Sequence, residues 1–360
     1  MRKVATKSIV APLAGAFFLS LVLAAHSGPK TIHAPAPRAA SAPAGGPPRP
    51  NPRELEDAFA GLDSKTAVTR GAAYAKKGDL DRAITDFNRA IELDPKYAIA
   101  HYNRGNAYKS KGDLDRAIAD YDKAIELDPK YAFVYNNRGS AYQNRGDLGR
   151  AIADYTKAIE LNPKNATTFD NRGLAYAQKG EFDRAMADYD KAIELDSKRA
   201  DSYVGRGIAY EKIGDIERAI SDYNAAIDVD ATYSDGYLHR ALACHRQRHL
   251  DQAISDYTKA IELGSNDEFA HVSRGLAYLE KFELDQAIGD LTSAIQPESK
   301  MRAMAYEMRG LAFGLGGAPD AAIADLTTAQ QLDPSLSSGE AGWCQSMINS
   351  GVTPQGCLVL

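Results

Sequence analysis

"YNNRGSAYQNRGDLGRAI", residues 135–152, has the look of a helix, yet it places Gly139 inside the pattern and Gly146 seven residues later. Glycine in a helix interior costs roughly 1 kcal/mol relative to alanine, so each glycine needs a reason. The continuation "LGRAIADYTKAIEL", 148–161, is apolar at i, i+3, i+4 and i+7 and predicts a second amphipathic helix. Gly146 then predicts a left-handed end to the first helix, with Asp147 capping the second. The same Gly-Asp pair recurs at Gly78-Asp79, Gly112-Asp113 and Gly214-Asp215. Gly139 is expected to serve close approach of the two helices, at a crossing where it faces Ala151.

The pattern is periodic. Arg-Gly occurs at 70–71, 104–105, 138–139, 172–173, 206–207, 274–275 and 309–310, and Arg240-Ala241 stands in the remaining slot. The spacing is 34 residues with one step of 35. An internal period of this size predicts a solenoid, and domain counting by length no longer applies. The units run 64–97, 98–131, 132–165, 166–199, 200–233, 234–267, 268–302 and 303–336.

With these positions aligned, the chain resembles the tetratricopeptide repeat family over residues 64–336. The eleventh position holds Tyr74, Tyr108, Tyr142, Tyr176, Tyr210, Tyr278 and Phe313, with Cys244 as the departure. The twentieth is alanine in all eight units, from Ala83 to Ala322. The twenty-fourth is Phe87, then Tyr121, Tyr155, Tyr189, Tyr223 and Tyr257, then Leu291 and Leu326. The resemblance implies an all-α fold, a right-handed α-solenoid of stacked antiparallel hairpins.

Two positions depart from the family pattern together. The seventh, usually leucine, is arginine in every unit: Arg70, Arg104, Arg138, Arg172, Arg206, Arg240, Arg274 and Arg309. The twenty-third is aspartate in every unit: Asp86, Asp120, Asp154, Asp188, Asp222, Asp256, Asp290 and Asp325. Opposite charges repeated eight times predict a structural ladder, since a planar guanidinium meets a carboxylate through two bonds. The aspartate is expected in the same unit or the preceding one. A basic stripe that binds acidic partners is the other reading.

The resemblance also implies that the first helices line a concave groove, with ligand contacts from repeat positions 2, 5, 9, 12 and 13. Carried over, these are Tyr102, Asn106, Lys109, Asn136, Ser140, Gln143, Asn144, Asp170 and Gln178, then Glu211 and Lys212, with Asp201, His245 and Arg246 beside them. The surface is amide-rich and suits the backbone of an extended peptide. Units seven and eight turn apolar there, at Phe269, Leu276, Leu279, Met304, Leu311 and Leu315. These side chains are expected to pack against neighbouring helices; exposed, they would mark a contact site. Lys109 with Asn103, Asn137 and Asn171 resembles part of a carboxylate-holding set of the family. The basic residues required in consecutive units are missing, so that activity is not assigned.

Outside the repeats, Arg2, Lys3 and Lys7 precede an uncharged run from Ile9 to Ala25, and small residues follow at Ala24, Ala25 and Ser27. This is the form of a secretory signal peptide over residues 1–27. At 17 residues the run is also near the lower limit of a membrane anchor. Residues 28–52 are rich in proline and alanine and read as a semi-stiff linker. Residues 53–63 and 337–360 are expected to cap the two ends, with a Cys344–Cys357 disulfide in the second.

The sequence carries few marks of chemistry. HExxH, GxSxG, CxxC and phosphate-loop patterns are absent from the sequence. "GLGGAPD" at 314–320 reads as a hairpin turn. His239, Cys244, His245 and His249 offer donors suited to zinc, but in an order resembling no known site, so no metal ligand is assigned. The net charge of -5 is too mild to argue for nucleic acid. The expectation is a non-enzymatic, cofactor-free scaffold binding a protein or peptide partner in the periplasm or cell envelope. A membrane-anchored structural or assembly subunit is the alternative.

Overall fold

The computed structural model describes residues 63–264 and 268–334. The expected signal or anchor, the linker, the first cap apart from Asp63, and the whole second cap with its Cys344–Cys357 pair lie outside the described residues. The described chain divides into two compact bodies, one ending at Ser197 and the other starting at Lys198.

The first body contains α1 (Ser64–Lys76), α2 (Leu80–Leu93), α3 (Ala98–Ser110), α4 (Leu114–Leu127), α5 (Ala132–Asn144), α6 (Leu148–Leu161), α7 (Ala166–Gln178) and α8 (Phe182–Leu195). The second contains α9 (Ala200–Lys212), α10 (Ile216–Val229), α11 (Ser234–Arg246), α12 (Leu250–Glu262), α13 (Glu268–Glu280), α14 (Leu284–Ala294), α15 (Arg302–Leu315) and α16 (Pro319–Leu332). Each body is four consecutive hairpins, and among the described residues there is no strand. Within a body, the first helix of each hairpin also touches the first helix of the next.

The turn inside each hairpin follows from the Gly-Asp pair. Gly146 takes φ +81°, a left-handed conformation that costs glycine little. This lets Asp147 N donate to Tyr142 O, closing α5. Asp147 then accepts from Arg150 N at 3.1 Å and caps α6. In the second body Arg248 and Phe282 occupy the same turn position with φ 66° and 59°, so glycine is favoured there and not required.

Gly139 serves close approach where Ala151 faces it, and the nearest group there is the Tyr155 ring, which the sequence reading did not include. A Cβ built on Gly139 would lie 2.8 Å from Cε1 of Tyr155 and 3.2 Å from the Ala151 carbonyl oxygen. The glycine accommodates a ring edge and a backbone oxygen, not the Ala151 methyl. Tyr121, Tyr155, Tyr189, Tyr223 and Tyr257 are almost wholly buried between their hairpin helices, with the twentieth- and twenty-seventh-position alanines around them. Small residues bring the backbones together, and the ring fills the remaining space at core density.

Phe269 and Leu276 are buried, and Leu279, Met304, Leu311 and Leu315 are part-buried. The first five of these pack into or against one cluster, and Leu315 packs on Leu326 and Ala322. None of the six belongs to an exposed patch.

Candidate functional site

Every seventh-position arginine forks onto the twenty-third-position aspartate of its own hairpin. Arg104 donates Nε to Asp120 Oδ2 at 2.8 Å and Nη2 to Oδ1 at 2.7 Å. Arg138–Asp154, Arg172–Asp188 and Arg206–Asp222 repeat this geometry, as do Arg70–Asp86, Arg240–Asp256, Arg274–Asp290 and Arg309–Asp325. The carboxylates are buried and the arginines part-buried. Burial alone would raise the Asp120 carboxyl; bonds from Arg104 and His101, and their charges, outweigh it and hold it below the ordinary value. Asp290 is held down in the same way by Arg274 and His271.

The remaining guanidinium nitrogen reaches the preceding hairpin. Nη1 of Arg104 donates to Asn88, that of Arg138 to Asp122 and that of Arg172 to Thr156. In the second body Arg240, Arg274 and Arg309 do the same to Asn224, Thr258 and Thr292. One side chain therefore closes its own hairpin and joins it to its predecessor.

The face lined by first helices carries a second set of bonds. In the first body Asn137 Nδ2 donates to Tyr102 Oη at 3.0 Å and to Asn106 Oδ1 at 2.8 Å. Asn136 Nδ2 donates to Asn137 Oδ1, and Asn171 Nδ2 to Asn136 Oδ1, both at 3.1 Å. Gln143 Nε2 donates to Gln178 Oε1 at 2.9 Å. The buried tyrosines join from beneath: Tyr121 donates to Asn106 and Tyr155 to Gln143, each at 2.7 Å. The amides are thus oriented by one another. Among the described residues, Asn106 has both acceptor sites used and both N–H groups left over, while Gln143 keeps one N–H. Asn144 is exposed, and Asp170 is part-buried near Tyr189, whose ionisation burial and then Asp170 oppose. The aromatic Tyr102, Tyr131 and Phe133 form a run, with ring centroids 5.1 and 6.4 Å apart.

In the second body the same positions are charged. Glu211 accepts from Tyr223 and from Arg246. Lys212 is exposed. His245, 1% exposed, sits between Tyr257 Oη at 3.3 Å and Glu280 Oε1 at 3.2 Å, and Arg248 also pairs with Glu280. Cys244 is buried, and burial pushes its thiol up. His245 and Cys244 are therefore packed into the repeat, and the described residues contain no group of three or more metal-donor side chains.

The rungs Gln143–Gln178, Glu211–Arg246 and His245–Glu280 all span 35 residues, joining position 12 of one unit to position 13 of the next. Sequence reasoning named most of these residues separately and missed the offset that joins them. The signal was present: it is the repeat length plus one.

Paired helices, a fixed period and a polar first-helix face define a class of interaction solenoids. Sequence models described as TPR repeat match residues 71–112, 105–146 and 173–214, and models described as tetratricopeptide repeat match 132–165 and 204–268. The chain belongs to the tetratricopeptide repeat family. No curated protein matches the chain significantly. A tetratricopeptide repeat protein from Parabacteroides merdae is 22% identical with TM-score 0.56, covering 69% of this chain and 98% of its own. PilF of Pseudomonas aeruginosa is 20% identical with TM-score 0.51, covering 57% and 94%. The APC/C hetero-tetramer Cut9–Hcn1 gives 16% and 0.54, covering 79% and 56%. These structures share the fold. Tetratricopeptide repeats are generally non-enzymatic scaffolds for protein or peptide partners, and this chain is an interaction scaffold.

Proposed function

We propose that the chain is an adaptor that binds an extended peptide segment of a partner protein along the first-helix face of residues 63–197. The observation that carries this reading is the oriented amide set: Asn106 and Gln143 hold N–H groups beyond those used internally, on a face shared with Tyr102, Asn136 and Asn144. Amides already held in place lose little freedom on binding, which favours affinity. The N-terminal sequence supports action in the periplasm or cell envelope after export.

The test is a pull-down of the native protein from its own cell envelope, read by mass spectrometry. A Tyr102→Ala/Asn106→Ala/Asn136→Ala/Asn144→Ala variant runs alongside. Specific capture that the variant loses supports the reading; capture that survives it moves binding elsewhere. The uncharged run of residues 9–25 supports the second reading, an anchored assembly subunit. The intact mass of the native protein separates the two, because a cleaved chain lacks residues 1–27.

A further inference from the structure

In three rungs position 12 of one unit meets position 13 of the next through complementary groups: amide with amide, carboxylate with guanidinium, imidazole with carboxylate. Lys109 occupies position 12 of the second unit, and its counterpart 35 residues later is Asn144, an exposed amide. That rung is open. Lys109 makes no ion pair among the described residues, and its one polar contact is Ser140 Oγ at 3.4 Å. Burial pushes its ammonium below the ordinary lysine value. Every ladder arginine, by contrast, sits on a carboxylate. A desolvated charge without a counterion is costly, and an arriving anion recovers that cost.

A second feature lies on the same helix. Phe133, Asn136 and Ser140 follow one another at i, i+3 and i+7 and share one face of α5. Phe133 is 52% exposed, and its ring abuts Tyr131, which abuts Tyr102. Seven helical residues span roughly 10 Å, which about three residues of extended chain also cover.

Resting on the groove reading above, we infer that the partner segment carries an aspartate or glutamate whose carboxylate pairs with the Lys109 ammonium. An apolar or aromatic side chain about three residues away packs on Phe133 and Tyr131. Asparagine N–H groups of Asn106 and Asn136 hold the intervening backbone carbonyls. The open charge selects an acidic segment even though the whole chain is itself acidic.

Fluorescence anisotropy with capped, labelled eight-residue peptides tests this. Each holds Glu and Phe three residues apart, in either order, against a Gly/Ser/Ala background. Matched peptides carry Gln for Glu or Ala for Phe. For the full chain, the Glu peptide of one order is expected to bind about tenfold tighter than its Gln partner, the scale of one charge-assisted hydrogen bond. In Lys109→Met that ratio falls below about twofold, while the Phe/Ala ratio persists. In Phe133→Ala the reverse holds. Circular dichroism confirms that both variants fold. Equal binding of Glu and Gln peptides overturns the inference and leaves the groove reading standing. A ratio that survives Lys109→Met overturns it as well, as does failure of every peptide to bind at 1 mM. The envelope pull-down judges the groove reading independently.

Discussion

A methyl group at Gly139 would lie 2.8 Å from the Tyr155 ring and 3.2 Å from a carbonyl oxygen, neither of which can move aside cheaply. Gly139→Ala gains about 1 kcal/mol of helix propensity but overpacks the crossing at about 1–3 kcal/mol. A net loss of about 1 kcal/mol in urea unfolding is expected, where propensity alone predicts a gain. Gly149, in the first turn of α6, meets nothing closer than Asp147 Oδ1 at 3.7 Å. Gly149→Ala is expected to stabilise by about 0.5 kcal/mol in the same assay. Lys109 gives a third expectation. Its folded pKa is lowered, so between that value and the ordinary one the unfolded chain holds more protons than the folded chain, and stability contributed by this site rises with pH there. Lys109→Met removes that rise and increases the midpoint near neutral pH, which thermal melts across pH 7–10 would show.

The unit of architecture is the hairpin, and its key offset is 16 residues. Arg138 meets Asp154 and Gly139 meets Tyr155, each 16 positions on, because that count crosses the hairpin at one level. The period, the hairpin boundaries and the capping aspartates were legible from residue type alone. The arginine and aspartate columns were legible as a pair because both depart from the family pattern in every unit. What sequence did not show was the tyrosine ring beside Gly139, since its own reading paired the two small residues. Nor did it show the 35-residue rungs, which depend on how successive hairpins rotate against each other. Arg138→Leu leaves Asp154 buried without its partner and is expected to cost about 2–3 kcal/mol, below the fully buried value because Arg138 keeps 18% of its side chain exposed. Adding Asp154→Leu should recover stability to within about 1 kcal/mol of the parent, measured by chemical unfolding. Acid weakens the ladder too: the contribution of Asp120 is complete above the ordinary carboxyl value and is lost as pH falls through its lowered folded value. Asp120→Asn should flatten the stability decline on acidification.

At the level of the whole chain, each hairpin depends on its neighbours and presents them with similar surfaces. Deleting residues 132–165 removes one full unit in register, bringing Asn171 to Tyr102 and Arg172 to Asp122, groups equivalent to those they meet now. The shortened chain is expected to keep cooperative unfolding and lose roughly an eighth of its helical ellipticity. The backward reach of the arginines adds an order in time. Arg104 finds Asn88, Arg138 finds Asp122 and Arg172 finds Thr156, always on a segment made earlier. A chain growing from its N-terminus meets each acceptor already in position. Assembly can therefore advance like a zipper behind the ribosome, with no hairpin waiting for a residue not yet synthesised to complete its own arginine contacts.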